Sequence, residues 1–335
     1  MKTNKLNETY KHRLYLILVA LLLIGDIGFY IMGKFFPNTL NKGDTTLPQK
    51  ETSILTQQQS IKDHVKDISI NSKYAILIDL EDNTPLYEKN ITKKIYPASL
   101  TKVMSAVVAL DHISDLTAKV TVEEKDLEGL VEANASVAGL EAGDNVTYED
   151  LLYALVLPSG ADAANVIANH LFGSMDAFVA EMNVKAKAYG MTQTHFVNAT
   201  GLHDDQHYTT IQDLERMMKH AWKNTAFQQI LTTTKYEIPS LHLKLKSTLL
   251  LYGTSSDFLE STLQPETLSF RGGEIIGGKS GYTLEAECCL VSVAKLDNDH
   301  LYMFISAKAS GEPMEDHNHV NDAIHIYEEV AKITN

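Results

Sequence analysis

Ser99 and Lys102 are three positions apart in Tyr96-Pro97-Ala98-Ser99-Leu100-Thr101-Lys102, directly ahead of the helix-forming run Val103-Met104-Ser105-Ala106-Val107-Val108-Ala109-Leu110. At that spacing on a helix two side chains share one face and come within reach of each other. A serine hydroxyl attacks well only when a base removes its proton. A lysine becomes that base when burial disfavours its ammonium form, and Val103 and Met104 are apolar neighbours suited to bury it. Ser159, in Pro158-Ser159-Gly160-Ala161, falls at a bend from which a hydroxyl can relay a proton. Lys279-Ser280-Gly281 falls in an extended segment. Its lysine offers a cation to a carboxylate, its hydroxyl a hydrogen bond to the same group, and its glycine room for close approach. Nucleophile, base, relay and anion holder are the parts of an acyl-transfer site. Singly, each has a bland counterpart: a serine N-cap before a solvated lysine, a loop serine, a strand lysine. The order and combination of the three segments favour chemistry.

The elements that must position these residues are legible in outline. Tyr74-Ala75-Ile76-Leu77-Ile78-Asp79-Leu80 reads as a strand, Glu81-Asp82-Asn83-Thr84 as a turn and Pro85-Leu86-Tyr87-Glu88 as the start of a return strand. The Ser99 helix follows. Thr147-Tyr148-Glu149-Asp150 has the pattern of a capping box before a helix that Pro158 ends. Further helices are expected over 161–171, 175–189 (stopped by Gly190) and 209–222. The segment 273–281 precedes Cys288-Cys289-Leu290-Val291-Ser292-Val293-Ala294. Asp297-Asn298-Asp299 then turns the chain back into Leu301-Tyr302-Met303-Phe304-Ile305-Ser306, an antiparallel hairpin. The tail 321–333 carries apolar residues at helical spacing and is expected to pack on the sheet. The expected class is α+β, with α/β/α layering. One antiparallel sheet, assembled from both ends of the domain and flanked by helices, joins a mostly helical half.

The chain has 335 residues, 44% of them hydrophobic, and a net charge of −14. No basic cluster occurs beyond the extreme N-terminus, which argues against nucleic acid as a partner. Cys288 and Cys289, the only cysteines, are adjacent and are expected to be free thiols in a core strand. Lys2, Lys5, Lys11 and Arg13 precede an apolar run of about 20 residues, long enough to cross a bilayer. Positive charge on that side predicts the N-terminus inside and the remainder outside. No A-x-A-like site follows, so the reading is an uncleaved signal anchor. The expected layout is a cytoplasmic tail at 1–13, a single transmembrane segment at 14–36, a polar extracytoplasmic linker at 37–68 and a catalytic domain at 69–335. The expected location is the cell membrane.

Over roughly 74–310 the chain resembles the low-molecular-mass penicillin-binding proteins that are serine-type D-alanyl-D-alanine carboxypeptidases. The resemblance rests on several segments: Tyr96 to Lys102; Leu157-Pro158-Ser159-Gly160-Ala161-Asp162-Ala163-Ala164-Asn165; Phe178-Val179-Ala180-Glu181-Met182-Asn183; and Gly190-Met191. It continues through Thr194-His195-Phe196-Val197-Asn198-Ala199-Thr200-Gly201-Leu202-His203 and Gly278-Lys279-Ser280-Gly281-Tyr282-Thr283. It implies a β-lactamase/DD-peptidase-like fold and a site between its two halves. Ser99 would attack the carbonyl between the last two D-alanines of a peptidoglycan stem pentapeptide, and Lys102 would take its proton. Ser159 would pass a proton to the departing D-alanine. Lys279 and Ser280 would hold the terminal carboxylate, and backbone N–H groups of Ser99 and Tyr282 would form the oxyanion hole. The resemblance implies no metal and no cofactor, β-lactams as covalent inhibitors, and trimming of D-Ala-D-Ala ends that could contribute to glycopeptide resistance. Two departures stand out. Ala161 occupies the position of the usual Asn of Ser-x-Asn, with Asn165 four residues further on, and Ser280 replaces the usual Thr of Lys-Thr-Gly while keeping the hydroxyl.

Three competing readings differ in chemistry. A β-lactamase needs a carboxylate that activates the deacylating water, and no Glu-x-x-Leu-Asn lies between the second and third motifs; Glu181 reads as structural. A zinc carboxypeptidase would draw on His203 with His207 or His317 with His319, but no H-E-x-x-H is present. A weakly active wall-binding or penicillin-sensing module would account for Ala161, against the intact Ser99, Lys102, Ser159 and Lys279.

Overall fold

The computed structural model describes residues 49–249 and 268–334. The expected segments 1–13 and 14–36 lie outside the described residues. Among those described, no helix is long and apolar enough to cross a membrane. The chain divides into two units, Met1–Ser53 and Ile54–Asn335, and the sheet and the site belong to the second.

The first described element falls within the segment 37–68 expected as a polar linker. Helix α1 occupies Gln49–Val65, and its Ile61 and Val65 are buried. Strands β1 (Tyr74–Asp79) and β2 (Pro85–Lys89) follow as expected. A 3-10 turn at Ala98–Leu100 leads into α2 (Thr101–His112). Next come β3 (Lys119–Thr121), α3 (Glu124–Leu127), β4 (Asn145–Thr147), α4 (Tyr148–Val156), α5 (Ala161–Phe172), α6 (Met175–Ala188), α7 (Ile211–Ala221) and α8 (Thr225–Thr232). Strands β5 (Lys235–Ile238), β6 (Leu243–Lys246), β7 (Leu268–Phe270), β8 (Gly273–Thr283), β9 (Glu287–Leu296) and β10 (Leu301–Ala309) precede helix α9 (Asn318–Thr334). The capping box is formed: Asp150 N donates to Thr147 Oγ1 and Thr147 N to Asp150 Oδ2.

Among the described residues the main sheet is antiparallel, in the order β2-β1-β10-β9-β8-β7. Strands from both ends of the domain therefore meet at β1–β10, as the outline predicts. Both faces of the sheet are covered, which is why its strands are near-continuous apolar runs instead of alternating ones. Side chains on a strand point alternately to opposite faces. Ile76, Ile78, Val291, Val293 and Ile305 join the core built on α2 and the helical half. Ala75, Leu77, Leu290, Ala294 and Phe304 join a second core with α9, through Val320, Ile326, Tyr327 and Val330, and with Ile61 and Val65 of α1. The two short ribbons β3–β4 and β5–β6 escaped the sequence reading, because three or four residues carry too little periodicity to stand out.

Asp322 of α9 ties this helix to the start of β1. Its buried carboxylate accepts from Asn71 N (2.8 Å), Ser72 N (2.6 Å), Ser72 Oγ (2.6 Å) and Asn71 Nδ2 (3.1 Å). Asp322→Ala leaves these donors unpaired and is expected to cost about 3 kcal/mol of stability. Urea unfolding at neutral pH measures this, and a loss below about 0.5 kcal/mol would contradict it.

Candidate active site

Ser99 does not open the α-helix as the spacing predicts. It sits in the 3-10 turn one step ahead of it, after Ala98, whose φ of 46° is in the left-handed region that costs a non-glycine residue about 1 kcal/mol. The turn still carries Ser99 onto the same face as Lys102: the Lys102 Nζ lies 3.1 Å from Ser99 Oγ and donates to Thr200 O at 2.6 Å. Leu100 takes the N-cap position of α2, so the reading of Ser99 as a helix cap is excluded. Lys102 is 2% exposed. Burial lowers its pKa to about 7, against a smaller upward pull from the Asp162 carboxylate. A lysine in that state is available as a base at neutral pH.

The strained turn is clamped from two sides. Val197 N donates to His207 Nδ1 (3.1 Å), so Nδ1 is an acceptor and the neutral ring carries its proton on Nε2. Nε2 lies 2.7 Å from Thr101 Oγ1, which in turn donates to Ala98 O (2.8 Å). This chain of donors pins the Ala98 carbonyl. On the other side, Gly281 of β8 faces the turn: a Cβ there would come within 2.7 Å of Ser99 N. Gly201, at φ +84°, backs the same turn, with its would-be Cβ 1.9 Å from Ala98 O. The sequence predicted close approach for Gly281, and the structure supplies the partner. It also explains the segment Phe196 to Gly201. Asn183 holds Phe196 through two hydrogen bonds, and Asn198 Oδ1 accepts from Thr200 N and Gly201 N, which turns Thr200 O toward Lys102.

Ser159 lies between α4 and α5 at φ 67°, buried, with no hydrogen-bond partner for its hydroxyl among the described residues. Lys279 and Ser280 lie on β8 as predicted. Lys279 is 1% exposed and donates to Ser280 O (2.8 Å), while Ser280 Oγ meets Thr248 Oγ1 at 2.8 Å. Thr248 was not foreseen; it is reached only because Thr248 N bonds Leu157 O at the end of α4. Burial, and secondarily the nearby Lys102, push the Lys279 pKa well down. Ser99, Ser159, Lys279, Ser280, Gly281 and Tyr282 line one cavity of about 390 Å³. No carboxylate lines it among the described residues.

Among the described residues His203 and His207 are engaged with other partners. Both nitrogens of His207 are engaged, and His203 lies 3.6 Å from Asp205 and 3.8 Å from Glu285 beside the Tyr96 ring. Among the described residues no group of three or more His, Cys, Asp or Glu is arranged to hold a metal ion. Cys288 and Cys289 are free and buried on β9, where burial pushes both thiols up to about 12. Asn165 does not stand in for the missing Asn at 161, because its amide is turned to Asp126 O (2.9 Å).

Residues 58–307 match the peptidase S11 family model, described as D-alanyl-D-alanine carboxypeptidase. A D-alanyl-D-alanine carboxypeptidase of Streptomyces sp. strain K15 is 33% identical over 221 residues, 63% of this chain and 72% of that protein. The D-alanyl-D-alanine carboxypeptidase DacF of Bacillus subtilis strain 168 is 28% identical over 239 residues, 69% of this chain, which spans 56% of that longer protein. The crystal structure of the Streptomyces K15 DD-transpeptidase superposes with a TM-score of 0.65 at 28% identity, covering 79% of this chain and 99% of that one.

Burial lowers the His207 pKa to about 4. The folded state therefore resists a proton that the unfolded chain takes up near the usual histidine value of about 6.5. The His207 contribution is complete above that value and is lost as pH falls toward about 4, a change of about 3 kcal/mol. Urea unfolding from pH 7 to pH 4 should show this slope in the wild type and a shallower one in His207→Gln; equal slopes would remove His207 from the clamp.

Proposed function

The chain belongs to the peptidase S11 family of D-alanyl-D-alanine carboxypeptidases, and from that premise we propose that it is a penicillin-sensitive serine D,D-carboxypeptidase acting on peptidoglycan stem pentapeptides. The observation that carries the reading is the buried Lys102 Nζ, 3.1 Å from Ser99 Oγ and with its pKa brought to about 7.

The substrate carboxylate docks against Lys279 and the Ser280 hydroxyl, and its charge favours the ammonium form of Lys279 on binding. Neutral Lys102 takes the Ser99 proton while the Ser99 oxygen bonds the carbonyl carbon of the scissile peptide. The resulting oxyanion is held by the N–H groups of Ser99 and Tyr282. The carbon–nitrogen bond then breaks, and the D-alanine amine leaves with a proton passed through the free Ser159 hydroxyl. Water hydrolyses the acyl-serine and restores Ser99 and Lys102. A β-lactam enters the same path as far as the acyl-serine. With no carboxylate among the described residues lining the cavity, nothing there matches the water-activating group of a β-lactamase, so the adduct persists. The run at 14–36 supports a single-pass membrane anchor with the domain extracytoplasmic; it lies outside the described residues. Trimming D-Ala-D-Ala ends would also remove the group that glycopeptide antibiotics bind.

Incubation of the protein with benzylpenicillin should add the mass of one drug molecule in the wild type and none in Ser99→Ala, read by intact mass. Drug hydrolysis without an adduct would indicate a β-lactamase, and neither adduct nor hydrolysis would indicate a non-catalytic binding module. The rate of D-alanine release from a D-Ala-D-Ala peptide should rise with pH through about 7, because the base must first lose its proton. A rate that falls through that range would overturn the role of Lys102.

A further inference from the structure

Residue 161 contributes only a buried methyl group to the site. Against it lies a second, smaller cavity of about 60 Å³, bordered by Ser99, Lys102, Ala161, Thr200 and Asn134. Asn134 also lines the larger cavity. It is the one side-chain amide among the described residues that border the two cavities. Its carboxamide makes no hydrogen bond among the described residues; only its backbone N–H is engaged, with Val131 O.

The loop that carries Asn134 is built onto the Ser159 segment. Ala161 N donates to Ser136 O at 2.8 Å. The buried Asp162 carboxylate accepts from the backbone N–H groups of Ala138, Gly139 and Leu140. Asn134 itself sits at φ 48°, a conformation that asparagine tolerates better than other side chains. Asn165, the other amide near the motif, is committed to Asp126.

A peptide whose scissile carbonyl sits at Ser99 brings a further peptide group into the cleft on its acyl side. That group loses water there and needs both a donor and an acceptor. A carboxamide supplies both from one side chain. Building on the carboxypeptidase reading, we propose that Asn134 is the substrate-binding residue that hydrogen-bonds the acyl-side amide, the task that residue 161 is too short to perform. The site thus takes its amide-recognising group from the loop between α3 and β4 instead of from the segment of Ser159.

The test uses two acyl donors that differ at that amide. Benzylpenicillin carries an acylated side-chain amide, whereas 6-aminopenicillanic acid has a free amine in its place. Asn134→Gly keeps the backbone conformation and removes the carboxamide; Asn134→Asp keeps the shape and removes the donor. Both should slow acylation of Ser99 by benzylpenicillin about fivefold or more, the effect of one lost hydrogen bond. Both should leave acylation by 6-aminopenicillanic acid within about threefold of wild type. Adding Ala161→Asn to Asn134→Gly should restore part of the loss. Equal slowing with both drugs, or none with either, would overturn the role of Asn134 while leaving the acyl-serine reading intact. Absence of any adduct in the wild type would overturn both.

Discussion

The constraint on which the site depends is the exclusion of water from the Lys102 ammonium. An ion taken out of water is costly, and the protein relieves that cost by letting the group approach its neutral form. Lys102 is surrounded by the core packed on α2, and its direct partners among the described residues are Thr200 O and Ser99 Oγ. Asp162 offers an opposing charge only at a distance, because its carboxylate is consumed by backbone N–H groups of the loop around Gly139. A direct Asp162–Lys102 ion pair would have held the ammonium and abolished the base. The same exclusion acts on Lys279, whose pKa burial and the nearby Lys102 also push down.

Keeping such a site dry and geometrically fixed requires a rigid frame, and much of the fold serves that end. The sheet is covered on both faces, so β8 is held firmly enough to press the backbone of Gly281 against the turn that bears Ser99. The helical half brings Ser159 to the same cavity, and Thr248, whose N–H bonds Leu157 O at the end of α4, meets Ser280 of β8. The strain falls at Ala98, next to Ser99, and at Ser159 itself. The clamp through His207 and Thr101 is one of the arrangements that over-determines it. His207 thus has a physical task other than the metal binding that its spacing from His203 invited.

Much of the framework was legible because the residues concerned act locally. Thr147 with Asp150, the stop after α6 near Gly190, and the apolar runs of β1, β9 and β10 each declare their element through nearest-neighbour physics. Helix α1 was read as a tether because Gln49–Val65 is mostly polar and commits few residues, such as Ile61 and Val65, to the core. The 3-10 turn at Ser99 was read as helix, because the two conformations share side-chain spacing closely enough that Ser-x-x-Lys looks the same in both.

What the sequence by itself determined is the set of candidate reacting groups and their order along the chain: Ser99 with Lys102, then Ser159, then Lys279 and Ser280. It determined these because each small motif is a local arrangement whose chemistry follows from residue type and spacing. What only the tertiary structure decided is how groups distant in sequence face one another. Burial sets the protonation of Lys102, Thr200 O and His207 steady the turn from about a hundred residues away, and Asn134 and Ala161 border one cavity. Those relations depend on solvent exclusion and on backbones brought into contact by a common core, and neither quantity is a property of any one stretch of the chain.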